Sequence, residues 1–333
     1  MIPRIQTQEQ RPVWQALLAQ AVKSTDELLK LLQIEPAQLK TRPLADNFPL
    51  RVPHGFVQRM HKGDCHDPLL LQVLPVQQET DVIAGYLRDP LEELDAMPQP
   101  GLLHKYQGRA LLTVTGACAV HCRYCFRRHF PYADANPVTD HWQPSIKYIR
   151  QHPDITELIL SGGDPLTLTD ARLQSLTDEL TGIDHLHTLR IHTRLPVVLP
   201  ERVDEGLLSW LATLKLKVVM VIHCNHPNEI DAGVIEAMHR LHRAGVVLLN
   251  QSVLLRDIND DAATLINLSE RLFAAGALPY YLHQLDRVQG AAHFEVDRKI
   301  ARKLIAEVGA FLPGYLVPRL VQEIPGMPGK TPL

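Results

Sequence analysis

Cysteine is scarce in this chain, with 5 in 333 residues. So few thiols argue against a disulfide-stapled fold, and the first residues, MIPRIQTQEQRPVWQ, lack the charged-then-apolar run of a secretion signal. A reducing cytoplasm is therefore the expected compartment. Charge of one sign is lacking too, since the net charge is only −3. That excludes a nucleic-acid binder working through a broadly basic surface. No apolar run approaches the ~18 residues that a membrane helix needs, so no membrane partner is expected. What is present is a 45% hydrophobic content, enough for one large soluble core with an accessory piece. The 17 histidines are scattered, which suits surface and core positions better than ligand clusters.

Three of the five cysteines fall together in GACAVHCRYCFRRH, residues 116–129, where Cys118, Cys122 and Cys125 form a C-x3-C-x2-C run. Three thiolates this close can take three corners of a [4Fe–4S] cube. No fourth cysteine lies nearby, so one iron stays open to bind a small molecule, unlike the fully ligated ferredoxin clusters. The competing reading is a zinc knuckle completed by His121 or His129. Cys65 stands alone and reads as a small buried hydrophobe.

Two textures divide the chain. Residues 1–105 read as a mainly helical accessory region. A helix is expected after Pro12, and a second follows the Ser24/Glu27 capping box; LLLQVLPV at 69–76 is a strand candidate. No catalytic constellation is evident before residue 100. From 109 onward, strand candidates at 110–115, 157–162, 188–193, 217–223, 246–255 and 279–284 alternate with helical patterns near 140–151, 169–181, 203–214, 230–244, 260–275 and 296–311. Apolar strands alternating with helices predict an α/β fold with a parallel sheet. Six units are too few to close an eight-stranded barrel, so an open, partial (β/α)6 barrel is expected over 106–320. Residues 321–333 form a separate C-terminal segment. Polar residues gather at the carboxyl ends of all six strands, where active sites of such sheets lie.

Two further motifs carry chemistry. In SGGDP, Gly162 and Gly163 let backbone approach a ligand closely, although a tight strand-to-helix turn explains them as well. At the other end, Lys330 is framed by Pro325, Gly326, Pro328, Gly329 and Pro332. A terminal lysine is ordinarily a solvated tail charge, but a bent frame can place its amine in a pocket, and a lysine amine is the group that condenses with pyridoxal 5′-phosphate (PLP).

The cysteine run resembles that of the radical S-adenosylmethionine (SAM) superfamily, whose open iron chelates the methionine part of SAM. That resemblance implies a partial barrel. It also puts Tyr124 near the adenine and makes Gly162, Gly163, Asp164 and Gln251 SAM contacts. From residue 104 to the end the chain resembles the lysine 2,3-aminomutase family more specifically. The matching stretches are HKYQGRALL, CAVHCRYCFRR, LSGGDPL, TRLPVVLPER, HCNHPNEI, NQSVLLRDIND, PYYLHQLD and PGMPGKTP. The resemblance implies three cofactors: a [4Fe–4S] cluster, SAM and PLP. It makes Lys330 the PLP lysine and sets Arg109, Tyr106 and Lys105 around the PLP phosphate. Arg127 would grip the substrate carboxylate, and Asp286 with Glu323 the distal ammonium of lysine. Two positions depart from the long members: Lys105 stands for an arginine and Glu323 for an aspartate. Long members also continue well beyond the three residues that follow Lys330 here. The chain is similar to short bacterial members that supply β-lysine for translation elongation factor P. That implies lysine, an external electron donor, and a functional link to this factor and its lysylating enzyme. The rivals are a radical SAM enzyme without PLP and a non-catalytic iron–sulfur or zinc protein.

Overall fold

The computed structural model describes residues 12–39, 48–132 and 142–333. Its centre is a run of parallel strands: β2 (Arg109–Thr115), β3 (Glu157–Gly162), β4 (Thr188–Thr193), β5 (Lys217–His223), β6 (Val247–Val253), β7 (Leu278–His283) and β8 (Arg319–Gln322). Short antiparallel strands flank it, β1 (Leu102–Tyr106) at one edge and β9 (Thr331–Pro332) at the other. Each strand pairs with the one before it in the chain. Right-handed crossovers in that order put all helices on one face and curl the sheet around the other. The crossover helices are α4 (Gln143–Gln151), α5 (Asp170–Glu179), α6 (Glu205–Thr213), α7 (Ala232–Arg243), α8 (Ala262–Ala274) and α9 (Arg298–Phe311). Five of them start where a short polar side chain caps the first turn: Thr169, Asp204, Asp231, Asp261 and Asp297 each accept a backbone N–H.

Alternation along each strand separates the two faces. In β4, Leu189, Ile191 and Thr193 are buried under the helices, whereas Arg190 and His192 are half-buried on the concave side. In β6 the same rule leaves Leu249, Gln251 and Val253 on the concave side. The N-terminal helices α1 (Val13–Ala19) and α2 (Thr25–Leu32), the latter capped by Ser24, pack into the same apolar core as the crossover helices. The expected boundaries at 105 and 320 fall inside β1 and β8.

All six expected strands are present as β2 to β7, and all six expected helices alternate with them. The strand candidate at 69–76 is instead a one-turn helix, α3 (Pro68–Leu71), followed by a turn. The Asp67 carboxylate accepts from Leu69 N and Leu70 N, and Pro68 sits at the first helical position. A short apolar run buried on every side has no period to tell strand from helix. Three strands are additional. β1 and β2 form a hairpin across Gln107–Gly108, with Gly108 at φ +78°. β8 and β9 are too short to show a pattern.

Candidate active site

The loop after β2 carries the three cysteines, all free and half-buried. Burial pushes the Cys118 and Cys125 thiols up, Cys125 to about 11, and each is raised further by its neighbours in the run. A metal that binds such thiols takes them as thiolates and releases their protons. The SGGDP turn locks this loop in place. Gly163 N donates to Thr115 O and Asp164 N to Ala117 O, both at 2.7 Å. A Cβ on Gly162 (φ +117°) would lie 2.5 Å from Thr115 O, and one on Gly163 2.2 Å from Ala117 O. Both glycines are thus required by the approach of the cysteine loop itself. The buried Asp164 carboxylate is filled by Thr193 Oγ1, Arg194 N, Leu195 N and Leu166 N. It ties the end of β3 to the end of β4 rather than facing open space.

Under the loop lies a buried polar network. The Tyr124 hydroxyl meets His223 Nε2 at 2.9 Å, Asn225 Nδ2 at 2.7 Å and Arg194 Nη1 at 2.8 Å. Burial drives His223 down to about 3, so its ring is neutral. The N-terminal region also reaches in. Glu79 accepts from Arg123 and Arg128, Gln72 meets Tyr124 and Arg194, and Glu93 meets Arg127. The sequence shows no catalytic constellation before residue 100, and what this region contributes is hydrogen-bond partners that hold the loop. Isolated acids and amides show no spacing in sequence, and their partners lie in the cysteine loop or beyond it.

The second group of residues meets on the concave face. The β8–β9 register pairs Gln322 with Thr331, so Glu323 and Lys330 come opposite each other one step further on. Lys330 Nζ lies 2.9 Å from Glu323 Oε2, and Lys105 Nζ lies 3.5 Å from Glu323 Oε1. Burial favours the neutral acid, yet these two ammonium groups hold Glu323 down to about 2. Asp286 is adjacent and behaves oppositely: burial, then the Glu323 charge, push it up to about 7. Arg127 gives Nε and Nη2 to Glu93 at 2.6 and 2.8 Å and Nη1 to Ser161 at 2.9 Å. A guanidinium has five N–H donors, so two remain, the number a bidentate carboxylate takes. Arg109 stacks on the Tyr106 ring at 4.6 Å and, among the described residues, has no carboxylate partner. His192 and His283 lie among the polar residues at the carboxyl ends of β4 and β7, and no motif in the sequence singles them out. Both are kept neutral by burial and by Lys330, and the buried His192 Nε2 has no hydrogen-bond partner.

The structure thus brings Lys105, Tyr106, Arg109, Arg127, Asp286, Glu323 and Lys330 into one charged interior, beside the cysteine loop with Tyr124, Gly162, Gly163 and Asp164. Gln251 is half-buried on the concave face of β6. The donor sets fit the implied groups. Three neighbouring thiols suit a cluster, and among the described residues no three His, Cys, Asp or Glu side chains converge on a single-ion position. A cube spreads its three thiolates over three irons, so the two facts agree. An unpaired interior arginine and an orphaned imidazole beside a reachable amine suit a phosphorylated aldehyde.

The Asp286 carboxyl makes a signed prediction. Burial and Glu323 favour its neutral form, whereas an arriving ammonium favours the carboxylate. Below about pH 7 a cationic group arriving from a substrate must displace a proton there, so kcat/KM should fall about tenfold per pH unit. Asp286→Asn should abolish this acid limb. It should also lower the plateau a few hundredfold or more, the ~3–5 kcal/mol of removing one partner of a buried pair. A pH profile unchanged in Asp286→Asn, with rates within about twofold, would reduce the carboxylate to a surface-type ion pair.

The family described as a 4Fe-4S single cluster domain matches residues 107–185, which contain the cysteine run. An L-lysine 2,3-aminomutase of Escherichia coli is 51% identical over 97% of this chain and 95% of that protein. The Haemophilus influenzae L-lysine 2,3-aminomutase is 47% identical over 96% and 94%, and the Clostridium subterminale enzyme 33% identical over 96% of this chain and 77% of its own. Among solved structures, a radical SAM methyltransferase from Sphaerobacter thermophilus matches with a TM-score of 0.48 and 15% identity, over 66% of this chain and 68% of that one. Identity of this extent over nearly the whole of both chains shows that the chain belongs to the L-lysine 2,3-aminomutase family of isomerases.

Proposed function

We propose that the protein converts L-α-lysine to β-lysine by moving the amino group one carbon along, with a [4Fe–4S] cluster on Cys118, Cys122 and Cys125, SAM on its open iron, and PLP on Lys330. The observation that carries this reading is the Lys330–Glu323 pair, with Asp286 and Lys105 around it and Arg127 of the cysteine loop linked to Lys105 through Glu93. When bound, the cluster with SAM supplies a hydrogen-abstracting radical, and PLP supplies the conjugated system through which nitrogen can migrate. The chain's own residues do the positioning. Arg109, Tyr106 and Lys105 hold the phosphate. The two remaining N–H groups of Arg127 take the substrate carboxylate, while Asp286 and Glu323 take its distal ammonium. Held at both ends, the substrate presents its α and β carbons at a fixed depth in the interior.

With its amine committed to PLP, Lys330 would no longer pair with Glu323, and that carboxylate would be left to Lys105 and the substrate ammonium. The neutral rings of His192 and His283 line the interior without adding charge. Tyr124 and Gln251 belong to the SAM side of the interior, with Gly162, Gly163 and Asp164 fixing the loop beneath. The resemblance to the short bacterial members that supply β-lysine for elongation factor P supports use of the product there, and a reducing cytoplasm suits the cluster. No helix among the described residues is long and apolar enough to cross a membrane.

The test is anaerobic reconstitution with iron, sulfide, PLP and SAM, a chemical reductant as electron donor, and chromatography of the products from free lysine. β-Lysine is expected. Cleavage of SAM with no β-lysine would overturn the assignment while leaving the cluster in place.

A further inference from the structure

Arg194 is a buried cation with no part in the roles assigned so far. It follows β4, and its side chain is 7% exposed. Nη1 lies 2.7 Å from Cys122 Sγ and 2.8 Å from the Tyr124 hydroxyl. Nη2 lies 2.6 Å from Gln72 Oε1 and 3.0 Å from Glu229 Oε2. The guanidinium packs against the Phe56 ring at 5.5 Å and the Tyr124 ring at 5.9 Å, so little water screens it. Glu229 is fully buried and also accepts from Gln72 Nε2, Asn225 N and His226 N. The ion pair therefore has a direction. Its positive end touches the sulfur, and its negative end points away toward the β5 side. Among the described residues, Cys122 is the one cysteine of the run whose sulfur takes a side-chain N–H.

We propose that Arg194 is a positioning residue that polarises the Cys122 sulfur and thereby sets the electron affinity of the cluster, with Glu229 limiting how much positive charge the cluster feels. The proposal rests on the reading of Cys118, Cys122 and Cys125 as cluster ligands. An N–H donor and a nearby cation withdraw electron density from a ligating sulfur and favour the reduced cluster. In the step concerned, the [4Fe–4S]2+ cluster gains one electron from an external low-potential donor and becomes [4Fe–4S]1+. The sulfur of Cys122 carries part of that added charge, and Arg194 stabilises it. Removing the counter-ion has the opposite sign from removing the cation. A residue that merely cross-links the β4 end to the loop has no such signature.

The experiment is a dithionite titration of the reconstituted protein, monitored by electron paramagnetic resonance, without SAM or lysine, with iron content measured alongside. Arg194→Met keeps length and loses charge and donor, and its midpoint potential should move negative. Glu229→Gln keeps shape and the capacity to accept from Asn225 N and His226 N, and its potential should move positive. Arg194→Lys keeps the charge and should lie between Arg194→Met and the parent. Unmoved potentials, or Met and Gln variants moving the same way at parental iron content, would overturn the proposal. Should Arg194→Met fail to hold iron, the opposed signs expected of Glu229→Gln and Arg194→Lys decide the matter. A parent protein that assembles no cluster would fail the ligand reading itself, and the two failures are thus distinct.

Discussion

Lys330→Ala is expected to abolish lysine turnover and to leave a protein in which borohydride fixes no PLP. The parent should yield one stable adduct after reduction, on Lys330. The structural reason is the β8–β9 hairpin. Its register turns what reads as a tail charge into an interior amine 2.9 Å from Glu323. The substitution should leave the fold intact, because the lysine contributes an ion pair but no apolar core. Glu323 retains Lys105 as a partner, so no carboxylate is stranded without a cation. Loss of turnover with an unchanged melting temperature is the expected pairing. Recovery of the reduced cofactor on a different lysine would refute the assignment.

Cys122→Ala should be equally severe and should act on the other half of the site. Iron content after reconstitution should collapse, and SAM cleavage under reducing conditions should fall to background. Cys118→Ala and Cys125→Ala should behave alike, since each thiol takes a separate corner of the cube. Cys65 and Cys224 are the internal controls. Cys65 Sγ faces His66 Nδ1 at 3.3 Å, and the buried Cys224 Sγ faces the His226 carbonyl at 3.5 Å. Replacing either should leave the iron in place, with Cys224→Ala costing only the packing of a small buried side chain. Full SAM cleavage by Cys122→Ala would sink the cluster reading.

The sequence foretold some of these features and hid others, and the division follows range. Strands such as 217–223 and 157–162 are continuous apolar runs between turn signals, so each announces itself locally. The cysteine run and the framed lysine are likewise local signals. Hidden were the partners. Glu93 holds Arg127 across 34 residues, and Gln72 reaches Arg194 across 122. No spacing rule links such pairs, because only the packing of the N-terminal region against the loops at the strand ends brings them together. The glycines of SGGDP were legible as a close approach. Only the fold shows that what approaches is the backbone of the cysteine loop.

The order of strands in the sheet has a consequence for how the protein is made. Every strand pairs with its predecessor in the chain, so the sheet can extend one edge at a time as the polypeptide leaves the ribosome, with each new strand finding a template already formed. The cysteine loop emerges early, beside β2, whereas β9, next to Lys330, follows the other described strands. An aldehyde cofactor would therefore meet its lysine only once the walls of its chamber stand.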